Sequence, residues 1–263
     1  MRRLAGLLFL CLLLSGCGAD NAWRFAAGTW YDSDDYLAGD SGKLIAWYEL
    51  ELPRLNLESD RAAPGAAPPE ALASVRDGFN AEMDAVRDRL LAEYANLRSD
   101  AVYGYAASGE EDWNRPVLLQ LSVTDAHCTQ RLYSALAFGS ADYSGAHALR
   151  FARAWSYDLA EGRFVPWYDL ANDPDALRAA LTEAVVAQAR ESGMDRRFSD
   201  GWEGAVQSLD GCAVYLGAEG VTLVYPQYAL GGHAAGLPTF TVPYDAVETH
   251  LSSYGRMLLV QDN

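Results

Sequence analysis

The chain has 263 residues, of which 50% are apolar and 21% charged, a globular balance that excludes a disordered or collagen-like polymer. Its 36 Asp and Glu outweigh 20 Lys and Arg, for a formal charge of -16. A field of that sign repels phosphate backbones, and no stretch concentrates enough Lys and Arg to reverse it. Nucleic acid is therefore excluded as a partner, and a cationic partner is favoured.

Arg2 and Arg3 precede an apolar run from Leu4 to Leu14, which closes on Ser15, Gly16 and Cys17. The run falls short of the roughly 20 residues that a helix needs to cross a bilayer, so residues 1–16 read as a signal peptide. Leu14-Ser15-Gly16-Cys17 has the form of a bacterial lipobox. Cys17 is then expected as the first mature residue, lipidated on its thiol. Two or three acyl chains, at about 0.8 kcal/mol per buried methylene, make a stable membrane anchor. The expected location is the cell envelope. Gly18 gives no inner-membrane retention signal, so this means the outer membrane facing the periplasm in a Gram-negative cell, and otherwise the outer face of the cell membrane. Without Arg2 and Arg3, 18 basic residues face 36 acidic ones, and the mature charge is -18.

Cys11 leaves with the signal, so Cys128 and Cys212 remain. Two thiols in an oxidising compartment usually pair, and a Cys128–Cys212 disulfide is expected on that ground. It would close a loop of 84 residues, worth about 4.5 kcal/mol in the chain-entropy account. A metal site on the adjacent His127 and Cys128 is disfavoured, because neighbours along a strand face opposite sides. No metal or cofactor is expected.

Residues 17–42, with Asp32, Asp34, Asp35 and Asp40, read as the lipidated Cys and an acidic tether, although Trp23, Phe25, Trp30 and Tyr31 are more aromatics than a solvated linker usually holds. The folded domain is placed at 43–260. Leu44 to Leu52 alternates, with Ala46, Tyr48, Leu50 and Leu52 on one face, as a half-buried strand does. Leu72, Val75, Phe79, Met83, Val86 and Leu90 recur at helical spacing and predict a long amphipathic helix. Three period-2 segments follow, through Val117 to Val123, Leu132 to Phe138 and Leu149 to Tyr157. Their short connections favour antiparallel pairing. Asp173-Pro174 supplies an N-cap acceptor and a residue suited to the first helical position, so a second helix is predicted over 174–191. Val214 to Leu216 and Val221 to Tyr225 form a hairpin, and Thr239 to Val242 precedes a short helix from Tyr244. The fold class is α+β, a mainly antiparallel sheet with two longer helices packed on it.

Tyr143-Ser144-Gly145-Ala146-His147, then Trp155-Ser156-Tyr157-Asp158-Leu159 and Glu161-Gly162, resemble the Gly-Ala-His and Tyr-Asp-Leu-x-x-Gly signature of the RsiV-like extracellular domain. Tyr228-Ala229, Gly236, Phe240, Val242, Pro243 and Tyr244 resemble its closing segment, and Leu52-Pro53 and Phe79-Asn80 fit its first half. The resemblance spans about 43 to 260. It departs from the family at Gly232-His233, where a proline and an aromatic are usual. That domain occurs in lysozyme-sensing anti-sigma factors and ahead of PdaC-type peptidoglycan deacetylase domains. The chain shows neither a sigma-binding segment nor deacetylase metal motifs, so the resemblance implies a binding module on a lipid anchor. The candidate binding residues are Tyr143, His147, Trp155, Tyr228 and Tyr244, which fall within the resemblance, and His233, where the chain departs from it.

No nucleophile elbow, His-Glu-x-x-His, P-loop or Gly-x-Gly-x-x-Gly is present. His147 and His233, both in Gly-flanked turns, are the histidines to test for convergence. Two readings follow. The first is a non-catalytic lipoprotein that binds a cationic protein such as a lysozyme-type muramidase, or peptidoglycan. The second is an enzyme modifying peptidoglycan or another polysaccharide through an unrecognised carboxylate or histidine site. A deep acid-lined cleft favours the enzyme, and a broad aromatic surface favours the binder.

Overall fold

The computed structural model describes residues 23–39, 41–62, 65–114, 116–143 and 147–259. A six-stranded sheet runs in the order β1 (Arg24–Ala38), β2 (Lys43–Glu58), β3 (Val117–Cys128), β4 (Leu132–Asp142), β5 (Leu149–Asp158) and β6 (Arg163–Phe164). All neighbours are antiparallel except β2 and β3, which pair in parallel over Ala46–Leu50 and Val117–Leu121. A parallel step needs a crossover, and α1 (Glu70–Ser108) supplies it. A second, antiparallel sheet holds β7 (Ala213–Leu216), β8 (Gly220–Val224) and β9 (Thr239–Pro243). The remaining helices are α2 (Pro174–Ser192), α3 (Trp202–Val206), α4 (Tyr244–Val247) and α5 (Ser253–Leu259).

These elements stack in four layers. Phe79, Met83, Val86 and Leu90 of α1 pack on Leu50, Leu52, Leu119 and Leu121 of the large sheet. On the other face of that sheet, Leu136 and Phe138 meet Ala213, Tyr215 and Val224 of the small one. Leu216, Leu223, Phe240 and Val242 point the opposite way, onto Leu177, Leu181 and Val185 of α2. Each sheet residue takes its layer from the period-2 alternation of strands. Strand β4 is covered on both faces, so Leu132 to Ala137 are buried without a break. The predicted elements are present, and α2 starts as read, with Asp173 accepting from the Asp175 and Ala176 N–H groups.

Two expectations change. Helix α1 runs 39 residues, because Tyr94, Leu97 and Ala101 continue its buried stripe beyond Leu90. The segment read as an acidic tether is largely strand: β1 pairs with β2 from Arg24↔Glu58 to Ala38↔Lys43. Its aromatics explain why. The Arg87 guanidinium lies 5.6 Å from the Trp30 ring, and Arg98 lies 5.1 Å from that of Tyr36. The signal peptide, Cys17, and Ser144 to Ala146 lie outside the described residues.

Candidate functional site

Several signature residues hold the fold together. Asp158, fully buried at the end of β5, accepts from the Ala160 N–H (2.8 Å), the Glu161 N–H (3.1 Å) and the Tyr254 hydroxyl (2.9 Å). Arg131 lies 3.7 Å from the same carboxylate. Gly162 closes this turn at φ 63°, a left-handed conformation that suits glycine, and its N–H reaches the Asp158 carbonyl. Tyr157 packs its ring 5.3 Å from Phe79. The Tyr244 hydroxyl donates to the Gly217 carbonyl at 2.7 Å, which ties α4 to the β7–β8 turn, and burial raises its pKa. These roles are internal and leave little to meet a ligand.

A different set reaches the surface together. His147, just before β5, and His233, in the loop between β8 and β9, are 86 positions apart in the chain, yet their rings stack with centroids 4.2 Å apart and planes 22° from parallel. Both are exposed. The loop carrying His233 approaches its neighbour closely: a Cβ on Gly231 would lie 2.7 Å from the Arg197 carbonyl oxygen. Beneath the stack sits Gln227, only 8% exposed. Its Oε1 accepts the Arg150 N–H at 2.7 Å. A backbone N–H can only donate, so this bond fixes which end of the amide is oxygen. The Gln227 Nε2 is then the donor facing His233 Nδ1 at 3.2 Å, and Nδ1 is the acceptor. In the neutral ring the proton of His233 therefore sits on Nε2.

Tyr228 completes the cluster. It is 53% exposed, its hydroxyl lies 3.4 Å from His233 Nδ1, and its ring centroid lies 6.3 Å from the imidazole. Among the described residues it is the non-glycine residue with positive φ, at 71°. A tyrosine held there costs roughly 1–3 kcal/mol, strain that surrounding contacts must sustain. The buried neighbour Gln227 and the Ala229 N–H bond to the Pro226 carbonyl fix the chain on either side.

The other expected binding residues lie elsewhere. Tyr143 is half exposed and donates to Glu93 of α1 at 2.9 Å, beside a cavity of about 170 Å³ that also involves Trp113. Trp155 on β5 is half-buried and lines a cavity of about 220 Å³ with Arg153 and Cys212. Both cavities are smaller than the roughly 300–1,000 Å³ usual for small-molecule sites, and neither is lined by a pair of carboxylates.

The expected Cys128–Cys212 bridge is not formed, and both are free thiols. Cys128 packs on the α1 side of the large sheet, with its Sγ 3.8 Å from the Phe25 carbonyl oxygen. Cys212 belongs to the core between α2 and the small sheet and contacts the Ser208 carbonyl instead. Parity and compartment say nothing about which layer a thiol occupies. Burial pushes both thiols up to about 12.

The surface cluster thus offers flat, stacked rings, the Nε2–H of His233, the imidazole nitrogens of His147 and one phenol, arranged to contact and hydrogen-bond a partner. Among the described residues no three His, Cys, Asp or Glu side chains converge as metal ligands do, and no helix is long and apolar enough to cross a membrane. Gln227 escaped the sequence reading, because only its position next to Tyr228 marked it. Residues 168–245 match the family described as a protein of unknown function, DUF3298. The matched stretch contains Gln227, Tyr228 and His233 but stops short of His147 in the other direction. Among curated proteins none matches. Two solved structures share the fold. A DUF3298 family member from Bacteroides fragilis superposes with a TM-score of 0.65 at 13% identity, covering 91% of this chain and 98% of its own. A DUF3298 family protein from Pseudomonas aeruginosa PAO1 gives a TM-score of 0.53 at 12% identity, covering 88% and 95%.

Proposed function

We propose that this protein is a lipid-anchored, non-catalytic binding protein of the bacterial cell envelope, of the RsiV-like kind, whose ligand is a cationic protein such as a lysozyme-type muramidase. The observation that carries this reading is the meeting of His147, Tyr228 and His233 on one exposed patch. The same sequence resemblance supplies Asp158 and Gly162, which are internal. Residues with structural work are thereby separated from residues free to touch a partner. A formal charge of -16 speeds encounter with a basic protein, while aromatic anchors set the affinity. The rival, a wall-modifying enzyme, needs a cleft with an acid and a base, and the two cavities described above offer neither the size nor the carboxylates.

Surface plasmon resonance with c-type lysozyme tests the reading. Raising salt from about 50 to about 500 mM shortens the Debye length from about 14 to about 4 Å, and association slows much more than dissociation quickens. The His147→Ala/His233→Ala variant loses affinity at both salt levels. Absence of saturable binding at low salt, or cell-wall turnover by the purified domain, overturns it.

A further inference from the structure

We propose that the outer edge of β1, from Tyr31 to Leu37, is a docking edge on which a cationic polypeptide segment adds to the large sheet as a seventh strand. This rests on the reading of a cationic partner and gives that partner a second contact, at the other end of the large sheet from the His147–His233 patch. Strand order leaves β1 at the end of the sheet, paired on one side with β2. A long edge of this kind is a template for another strand.

The register shows which backbone groups are offered. The Ser33 N–H bonds the adjacent Asp32 Oδ1 at 3.0 Å, which places it on the open side, capped by a carboxylate that an incoming strand displaces. In an antiparallel ladder every second residue points the same way, so Tyr31 and Asp35 join Ser33 on the open side. Apart from half-buried Asp32 the side chains along this half are exposed, and both apolar and acidic groups are among them. Tyr31, Tyr36 and Leu37 are 40%, 37% and 50% exposed. Between them stand Asp32, Asp34 and Asp35, with Glu49 and Glu51 behind on β2.

These carboxylates have no ion-pair partner among the described residues. Asp32 takes the Tyr48 hydroxyl at 2.8 Å, Glu49 meets the Tyr31 hydroxyl and Gln120, and Glu51 accepts the Val123 N–H. The nearby cations are engaged elsewhere: Arg98 stacks on Tyr36 and Tyr94, and Arg87, which feels the charge of Asp32, pairs with Asp84 and Asp88. Charge decides the occupant. A second copy of β1 would set aspartates against aspartates, which like-charge cross-strand pairing disfavours. An extended Lys- or Arg-rich segment brings cations to Asp34 on one face and Asp35 on the other, and apolar contact to the tyrosines.

The test uses a fluorescent nine-residue peptide of alternating Lys and Val, and the same peptide N-methylated at every second amide, read by anisotropy at low salt. The unmodified peptide binds saturably and slows hydrogen exchange of the outward Tyr31 and Asp35 amides at least tenfold. N-methylation weakens it at least tenfold while its charge stays the same. Asp34→Lys/Asp35→Lys and Ser33→Pro, which removes an outward N–H together with its bond to Asp32, each weaken it at least tenfold, with circular dichroism as the control for folding. Equal binding of the two peptides, no change in exchange at Tyr31 and Asp35, or unchanged binding by folded Asp34→Lys/Asp35→Lys overturns the proposal. Lysozyme binding is measured on the same variants. If lysozyme binds wild type and Asp34→Lys/Asp35→Lys equally, the edge is refuted while the muramidase reading stands. If the peptide docks at the edge and lysozyme does not bind, only the muramidase reading falls.

Discussion

Asn80, in the N-terminal third of α1, pairs with Leu55 of β2 as a strand neighbour would. Its Oδ1 accepts the Leu55 N–H and its Nδ2 donates to the Leu55 carbonyl, both at 3.0 Å. The bond pair lies beside Arg54, which donates to the Asn80 carbonyl and forms an ion pair with Asp84 of the same helix. One side chain thus sets the register of helix against sheet. Asn80→Ala strands two partly buried backbone groups, each costing about 1–3 kcal/mol less whatever water restores. Urea unfolding should show a loss of about 2–3 kcal/mol, and a loss below about 0.5 kcal/mol would refute this role.

Asp158 makes the corresponding link to the C-terminal end of the chain, since Tyr254 reaches it across 96 positions. Asp158→Ala leaves two turn N–H groups and the Tyr254 hydroxyl without an acceptor, and destabilises by about 3 kcal/mol or more. Tyr254→Phe costs about 1 kcal/mol. A double-mutant cycle of the two should give a coupling of at least 0.5 kcal/mol. Additive losses would mean that the contact carries nothing.

Much of the fold is legible in the sequence because its signals are local. Asp173-Pro174 marks the start of α2 by cap chemistry alone, and the small-sheet hairpin follows from two apolar runs around Gly217 to Gly220. β1 is hidden by its composition. Its outer half carries aspartates that a solvated edge tolerates, so polarity resembles that of a linker, and only the aromatics hint at pairing. The parallel step from β2 to β3 is likewise invisible, since no residue pattern states which strand a 39-residue crossover rejoins. At the site, His147 and His233 could be nominated as a pair, but Tyr143, Trp155 and Tyr244, nominated on equal grounds, are dispersed by topology. The disulfide failed for the same reason: layer membership is a tertiary property.

Tyr228 should show stability and binding pulling apart. At φ 71°, glycine relieves a conformational cost, offset in part by its greater freedom in the unfolded chain. Tyr228→Gly should therefore leave stability unchanged or raise it by up to about 1 kcal/mol, while the proposed lysozyme binding weakens at least fivefold. A clear loss of stability would show that the phenol is a packing residue.

The thiols give a pH dependence of known sign. Cys128 and Cys212 move from an ordinary value near 9 up to about 12 in the fold, both chiefly through burial. Between those values the unfolded chain has released protons that the folded one still holds, so stability is full below about pH 9 and declines as pH rises toward 12. At pH 8 the folded thiols carry on the order of a thousandfold less thiolate than free cysteine, and alkylation slows accordingly. Intact mass after denaturing alkylation without reductant should show both thiols modified. Neither modified would restore the disulfide.

Anchoring is expected to depend on Cys17 and to be short. β1 begins at Arg24, seven positions beyond Cys17, and at about 3.4 Å per residue an extended connection spans at most about 24 Å. The domain would then stand close to the bilayer instead of at the end of a flexible leash. Cys17→Ser should move the protein to the aqueous phase in detergent extraction, since a single acyl chain or none holds a protein only marginally. In the lipidated protein, a quencher in the headgroup region should dim Trp23, and inserting about 20 Gly/Ser residues after Asp20 should relieve the quenching. If the Cys17→Ser protein stays with the membrane, lipidation at this cysteine is wrong. If the insertion leaves quenching unchanged, the domain lies on the membrane for a reason other than its short connection.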